Sequence, residues 1–187
     1  MLYRCEWSQK NEIYSKYHDD EWGKPLHNDQ KLFEFLILEG MQAGLSWITI
    51  LKKREAFRMA YENFDVHKVA SFDQQKVEEL MSDSGIIRNR MKIEASINNA
   101  KRFLEVVEEF GSFDSYMWNF VDYKPIVNRW TKLSEIPAKT ELSDRISEDL
   151  KRRGFKFVGS TIVYSHLQAT GVINDHLVGC FCHPDNH

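Results

Sequence analysis

The sequence predicts an all-α fold, and three observations carry that reading. Apolar residues recur at helical spacing along most of the chain, and no stretch alternates at period two for long enough to suggest a sheet. Pro25, Pro125, Pro137 and Pro184 all fall outside the apolar stripes, as helix breakers should. Between two of the stripes lies a short turn with one glycine, the plan of a helical hairpin.

Taken in order, Asp29 is placed to cap a helix through Leu32, Phe33, Phe35 and Leu36. A second helix runs from about Leu45 through Ile48, Leu51 and Phe57. Asp65 and Asp73 read as further N-caps, the latter opening a segment with Val77, Leu80 and Met81 on one face. The clearest stripe is Ile93, Ile97, Ala100, Leu104 and Val107, stepping by fours and threes until Gly111 ends it. Later helices cover Phe113 to Val121, Ser143 to Arg153, and Val158 to about Thr170, the last closed by Gly171. With no internal repeat, low-complexity tract or linker, residues 1–187 are expected to form one domain.

A chain that is 42% hydrophobic and 13% aromatic is not a disordered protein. No apolar stretch approaches the roughly 20 residues that cross a bilayer, so no membrane partner is expected. Met1 to Trp7 lacks the apolar run of a secretory signal, and a cytoplasmic protein is the expectation. Three cysteines, an odd number, argue against a disulfide framework and for reduced thiols open to a metal.

A net charge of -3 argues against avid non-specific nucleic-acid binding, which needs clustered cations. Charge is nevertheless concentrated locally. Between residues 86 and 102, Arg88, Arg90, Lys92, Lys101 and Arg102 face Glu94 alone; Lys151, Arg152, Arg153 and Lys156 form a second cluster. Either run alone reads most simply as a solvated face, but basic patches on a mildly acidic protein suit an enzyme that must leave DNA readily.

The turn from Met81 to Arg90 has the form of a helix-hairpin-helix, spanning about residues 74–107 with its flanking helices. Its exposed backbone N–H groups and the following helix N-terminus suit a DNA phosphate. Gly85 supplies permissive backbone, while Arg88 and Arg90 supply charge. An ordinary αα-hairpin is the commoner alternative.

Two Cys/His pairs stand at opposite ends of the chain, Cys5 with His18 and His176 with Cys180. Four such donors are what a tetrahedral zinc site needs, so a clasp joining the termini is one reading; unrelated residues, a buried thiol and surface imidazoles, are the other. His176 and Cys180 are four apart, which would put them on one face of a helical turn. A rival set, Cys180, Cys182 and His183, crowds the tail, and spacing alone leaves the ligands open.

Glu39 ends an apolar run, where an ionised carboxylate needs hydrogen-bond donors, a cationic ligand, or escape to solvent from the helix end. Gly40 and Gly44 bracket the turn that follows. Trp7, Tyr14, Tyr17 and Trp22 interleave with Cys5 and His18, and Trp47 follows Glu39 by two helical turns. Aromatic residues are most often core, yet aromatic faces around one carboxylate would suit a flat, cationic heterocycle.

These motifs together resemble the 3-methyladenine DNA glycosylase I family, the constitutive alkylation-repair enzymes of bacteria. The resemblance runs essentially end to end. It rests on Arg4-Cys5-x-Trp7, Tyr17-His18-Asp19-x-Glu21-Trp22-Gly23, Leu38-Glu39-Gly40-x-Gln42-Ala43-Gly44-Leu45-Ser46-Trp47, the hairpin from Gly85 to Arg90, Arg153-Gly154-Phe155-Lys156-Phe157-Val158-Gly159, and Asn174-Asp175-His176-x-x-Gly179-Cys180. It implies a helix-hairpin-helix glycosylase fold and a structural zinc held by Cys5, His18, His176 and Cys180. It further implies a base pocket in which Glu39 and Tyr17 hydrogen-bond and serve catalysis, Trp47 stacks, and Trp7, Tyr14 and Ser165 lie nearby. Gln42, Gly44 and Leu45 would fill the space left by the extruded nucleotide, and Gly85, Arg88, Asn89 and Arg90 would hold phosphates.

The implied reaction is hydrolysis of the N-glycosidic bond of 3-methyladenine in alkylated double-stranded DNA, giving the free base and an abasic site. Methylation at N3 leaves the adenine cationic, so cleavage expels a neutral base and the leaving group needs no proton. The tasks left to the enzyme are extrusion, selection and stabilisation of positive charge on the sugar. The wider superfamily places a catalytic Asp after the hairpin and often a Lys within it; this hairpin offers neither pattern. A monofunctional enzyme without a Schiff base follows, and a monomer is the simpler expectation. The competing class is a zinc-clasped module that recognises damaged DNA without catalysis.

Overall fold

A computed structural model describes residues 2–187. The fold is all-α as expected, with nine α-helices among the described residues. The first, α1 (Glu12–Asp20), starts at Asn11, whose side chain accepts the Tyr14 N–H. Its apolar stripe is too thin to mark a helix in the sequence, because only Tyr17 and His18 are buried.

The central helix is α2 (Asp29–Gln42), buried at every residue from Leu32 to Met41. A helix apolar on nearly all sides belongs inside a bundle, and this one packs against α3 (Trp47–Ala60) and three later helices. Its N-cap is Asn28, which accepts the Lys31 N–H at 3.0 Å, one residue before the cap the sequence suggests. Asp29 is the first helical residue; its carboxylate accepts the Phe113 and Asp114 N–H groups at 3.0 and 2.8 Å. The acidic side chain therefore serves the start of a different helix, which local sequence cannot disclose.

Two short helices, α4 (Val66–Ala70) and α5 (Gln74–Met81), open at Asp65 and Asp73 as the sequence predicts, each carboxylate accepting an N–H three residues on. The long α6 (Arg90–Phe110) follows, capped by Asn89 and ended by Gly111 at φ 86°. Ile93, Ile97 and Ala100 are buried as expected. Towards the C-terminal end Phe103 and Val106 are buried, while Leu104 and Val107 are half-buried, so the inward face drifts around the helix. Phe103 stacks on Phe113 at 4.2 Å, a contact worth about 0.5–1.5 kcal/mol beyond burial. Phe113 opens α7 (Phe113–Asn119).

The chain then reaches α8 (Glu141–Arg152), which starts two residues earlier and ends one earlier than the sequence suggests because Thr140 caps it, and α9 (Ser160–Ala169), shorter at both ends. Strands β1 (Ile126–Val127) and β2 (Ile173–Asn174) form a parallel bridge too short to leave an alternating signal. Gly171 has φ 69°, and a Cβ there would lie 2.1 Å from the Lys24 carbonyl carbon. Only glycine lets the end of α9 meet the segment after α1, where Gly23 N–H donates to the Gln168 carbonyl. Among the described residues no helix is long and apolar enough to cross a membrane.

Candidate functional site

The two ends of the chain meet at a buried donor cluster. Cys5, at the start of a 3₁₀ turn (Glu6–Lys10), and His18 of α1 converge with His176 and Cys180, all four buried. His176 Nδ1 lies 3.1 Å from His18 Nε2 and 3.8 Å from Cys5 Sγ; Cys180 Sγ lies 3.4 Å from His18 Nε2 and 3.6 Å from His176 Nδ1. Tetrahedral coordination at ordinary metal–nitrogen and metal–sulfur lengths puts donors roughly 3.3–3.8 Å apart, so these atoms fit around one ion with little movement.

The outer atoms of the ligands are also held. His18 Nδ1 sits 2.8 Å from the Asp19 carboxylate, which Arg4 engages from the other side, and His176 Nε2 donates to the Trp22 carbonyl at 2.7 Å. Leu177 and Cys182 direct N–H groups at the two sulfurs. Such partners fix imidazole orientation and favour the thiolate.

His176 and Cys180 do not share a helical turn. His176 lies in irregular chain two residues after β2, and Cys180 closes a turn through its N–H to the Leu177 carbonyl. The tail set Cys180, Cys182 and His183 does not assemble, because His183 donates to the Asn128 carbonyl instead. The four-residue cluster could hold a metal ion.

Beside this clasp lies a cavity of about 260 Å³. Its walls come from four helices, the N-terminal 3₁₀ turn, the residue Trp22 after α1 and the segment before α8. Tyr14 and Tyr17 on α1, Glu39 and Gln42 on α2, and Ser165 and Gln168 on α9 each stand three apart, so each helix turns one face inward. Trp7 and Trp47 add to the aromatic lining. Trp7 meets Tyr14 edge-on at 5.6 Å, and Trp47 lies 5.7 Å from Tyr17. Tyr14 Oη accepts the Ile48 N–H at 3.1 Å, tying α1 to the first turn of α3.

Glu39 is 3% exposed and faces this cavity. Burial alone pushes its carboxyl up to about 8, with no cation or donor in the protein to offset the loss of water. Tyr17 is pushed well up too, first by burial and then by the neighbouring Glu39 charge. Trp47 Nε1 is buried without a partner. The cavity thus combines aromatic faces, an unmatched acid and an unmatched donor, which is the composition of a ligand site rather than a packed core.

Trp22, Leu133, Ile136 and Gln168 also line the cavity, and none was singled out as a site residue from the sequence. Gln168 shares the Ser165 face of α9, a periodicity that could have revealed it. Leu133 and Ile136 come from the irregular segment between β1 and α8, where no local pattern points to a site.

Gly40 lies within α2, where its missing side chain admits Phe157. The turn after α2 contains Gly44 at φ 79° and the 39%-exposed Leu45, whose carbonyl accepts from Gln42 Nε2. The hairpin joins α5 to α6. Gly85 is needed for clearance, since a Cβ there would lie 2.9 Å from Ala56 Cβ. Asn89 accepts the Lys92 N–H as helix cap, Arg90 pairs with Glu78 at 2.8 Å on the surface, and Arg88 is exposed. Lys92 is not part of a basic surface. It is buried, with its ammonium group donating to the Met41 and Ala43 carbonyls. In the second cluster, Arg153 is paired with Glu109 and Asp149.

The methyladenine glycosylase family model matches residues 7–183. The chain is 51% identical over 183 residues to DNA-3-methyladenine glycosylase 1 of Escherichia coli (strain K12), covering 98% of each. It is 47% identical over 182 residues to the DNA-3-methyladenine glycosylase of Haemophilus influenzae, covering 97% of this chain and 98% of that one. A solved 3-methyladenine DNA glycosylase I from Staphylococcus aureus, described for its recognition of 3-methyladenine, superposes with a TM-score of 0.94 at 38% identity, covering 97% of this chain and 96% of that one. A shared helical architecture, a family match over nearly the whole length and relatives about half identical to it leave one conclusion: this chain belongs to the methyladenine glycosylase family.

Proposed function

We propose that the chain is a DNA repair enzyme that hydrolyses the N-glycosidic bond of 3-methyladenine in alkylated duplex DNA, releasing the base and leaving an abasic site. The observation that carries this reading is Glu39, a buried acid facing an aromatic cavity without a partner. A base methylated at N3 brings the missing positive charge and an exocyclic N–H donor. Binding it lets Glu39 ionise without an uncompensated burial, which neutral adenine cannot do. Tyr17 fixes orientation beside Glu39, and Trp47 supplies the stacking face, with Trp7, Tyr14 and Ser165 as walls.

Because the departing methylated purine leaves neutral, the protein need not protonate it. The protein's work is to flip the nucleotide, hold it, and stabilise charge developing on the sugar. Gln42 at the end of α2 and Gly44 and Leu45 in the turn after it would fill the vacated stack, while Gly85, Arg88, Asn89 and Arg90 hold the backbone. The hairpin places no lysine for a Schiff base, so the enzyme is monofunctional.

The ion suited to two thiolates and two imidazoles is zinc, one per chain. Four protein donors leave no position for water, so its role is to pin the termini around the cavity. Residues 1–187 act as one domain and as a monomer. Incubation of methylated duplex DNA with the protein, with the released bases separated by chromatography, tests the assignment, because the base is cationic only while attached to the sugar. 3-Methyladenine should be released at least about tenfold faster than in the absence of the protein, the equivalent of about 1.4 kcal/mol in the barrier. Release no faster than the spontaneous loss would refute the assignment.

A further inference from the structure

Asp175 is fully buried and accepts four hydrogen bonds. Asn128 Nδ2 and Trp130 Nε1 each donate to Oδ1 at 2.8 Å; Tyr164 Oη and Gln168 Nε2 donate to Oδ2, the latter at 2.8 Å. A carboxylate can only accept, so the NH2 end of the Gln168 amide must face Asp175. The usual ambiguity between amide nitrogen and oxygen is removed by the partner's chemistry. The carbonyl end, Oε1, is then turned away from Asp175. It receives no hydrogen bond from the described residues, yet it is not sealed from solvent, and Gln168 lines the cavity that holds Glu39.

We propose that Gln168 is a specificity-determining residue that presents Oε1 to the exocyclic amine of the bound base, and that Asp175 is the positioning residue that fixes the direction of this amide. The inference rests on the reading of the cavity as a base pocket. A 6-amino purine has two N–H bonds on its exocyclic nitrogen, one for the Glu39 carboxylate and one for Gln168 Oε1. A 6-oxo purine such as 3-methylguanine puts lone pairs against Oε1 and leaves that acceptor unpaired. Sites built around a hydrogen bond discriminate far more sharply than apolar walls do, because the wrong ligand strands a polar group. Asp175 is well suited to hold the setting, since its four donors come from the β1 end, the following loop and two turns of α9.

The experiment uses the zinc-loaded protein and duplex DNA treated with a methylating agent, with released 3-methyladenine and 3-methylguanine separated by chromatography. Gln168→Met keeps the length of the side chain and removes the acceptor. It should lower kcat/KM for 3-methyladenine by at least about tenfold, the value of a hydrogen bond to a charged partner, while 3-methylguanine, freed from the stranded acceptor, is released faster than by the parent. Asp175→Asn offers an amide donor to Gln168, which should reverse and present Nε2 to the cavity. That variant should lose 3-methyladenine activity and release 3-methylguanine faster than the parent does, an inversion that structural weakening would not produce. If Asp175→Asn fails to fold or loses its metal, Gln168→Leu beside Gln168→Met carries the test. A folded, metal-replete Gln168→Met protein with the parental ratio of the two bases would overturn the inference while leaving the glycosylase reading intact. A parent protein that releases neither base would instead remove the glycosylase reading. Tryptophan quenching by free 3-methyladenine in the parent and in Gln168→Met would then decide Gln168 separately, equal affinities counting against it.

Discussion

Lys92 Nζ donates to the Ala43 carbonyl at 2.6 Å, so the second helix of the hairpin is fastened to the turn that follows the pocket helix. The same ammonium group reaches the Met41 carbonyl at 2.8 Å. Carbonyls at a helix C-terminus lack intrahelical donors, and a cation there also meets the negative end of the helix dipole. Lys92 therefore sets the position of Gly44 and Leu45 relative to the hairpin. Lys92→Met should cost about 1–3 kcal/mol by stranding buried carbonyls. It should reduce excision from duplex DNA more than affinity for free 3-methyladenine. Urea unfolding and the two assays check this, and an unchanged unfolding midpoint would show that the contact carries no weight.

Trp47 lies at a tilt beside Tyr17 in the cavity wall. Trp47→Ala should weaken binding of free 3-methyladenine by about 1–3 kcal/mol, the usual worth of one base–aromatic stack. Titration by calorimetry measures it directly. Parental affinity would remove Trp47 from the base contact.

The acid in the cavity makes pH a probe. Glu39 is raised from its ordinary 4.5 to about 8 by burial, so between those values the folded protein holds a proton that the unfolded chain has lost. Stability from this group is thus greatest below about 4.5 and declines as pH rises through about 8. Glu39→Gln should flatten that part of the stability profile. A cationic base favours the ionised acid, so kcat/KM for 3-methyladenine should climb with pH towards a limit near 8, reporting the free enzyme. The Gln variant should lack this limb. Parallel profiles for the two proteins would assign the titration to another group.

Loss of a metal ligand should act on the whole molecule. The cluster joins Cys5 to Cys180 and so closes nearly the entire chain. By analogy with a long-range covalent cross-link its removal is worth about 2–5 kcal/mol, or about 4–20 °C in Tm at this size. Cys180→Ser should therefore lose most of its zinc and melt earlier, with base preference altered less than stability. Metal analysis and calorimetry provide the check, and full zinc occupancy in the variant would undo the ligand assignment.

Much of the helical order was legible because Asp65, Asp73 and the Ile93–Ile97–Ala100 stripe act locally, through capping and period. Asp29 misleads by one residue because its carboxylate serves α7, far along the chain. Lys92 reads as surface charge for the same kind of reason: its partners are carbonyls about fifty residues away. Glu39 stood out as a lone acid in an apolar run, a local anomaly, whereas Tyr17 and Trp47 were placed in a pocket only by the family resemblance. Leu133 and Ile136 left no trace, because an irregular segment is placed by tertiary packing alone. The Asp175 network is similarly invisible, its four donors spread from Asn128 to Gln168.

The most direct measurement is release of free 3-methyladenine from methylated duplex DNA by the zinc-loaded protein and by Glu39→Gln under single-turnover conditions. The parent should liberate the base and leave uncut abasic strands, and the variant should be slower by at least about tenfold, as expected for a lost charge contact. Release at the parental rate by Glu39→Gln, or no release by either protein, would contradict the central role given to this carboxylate.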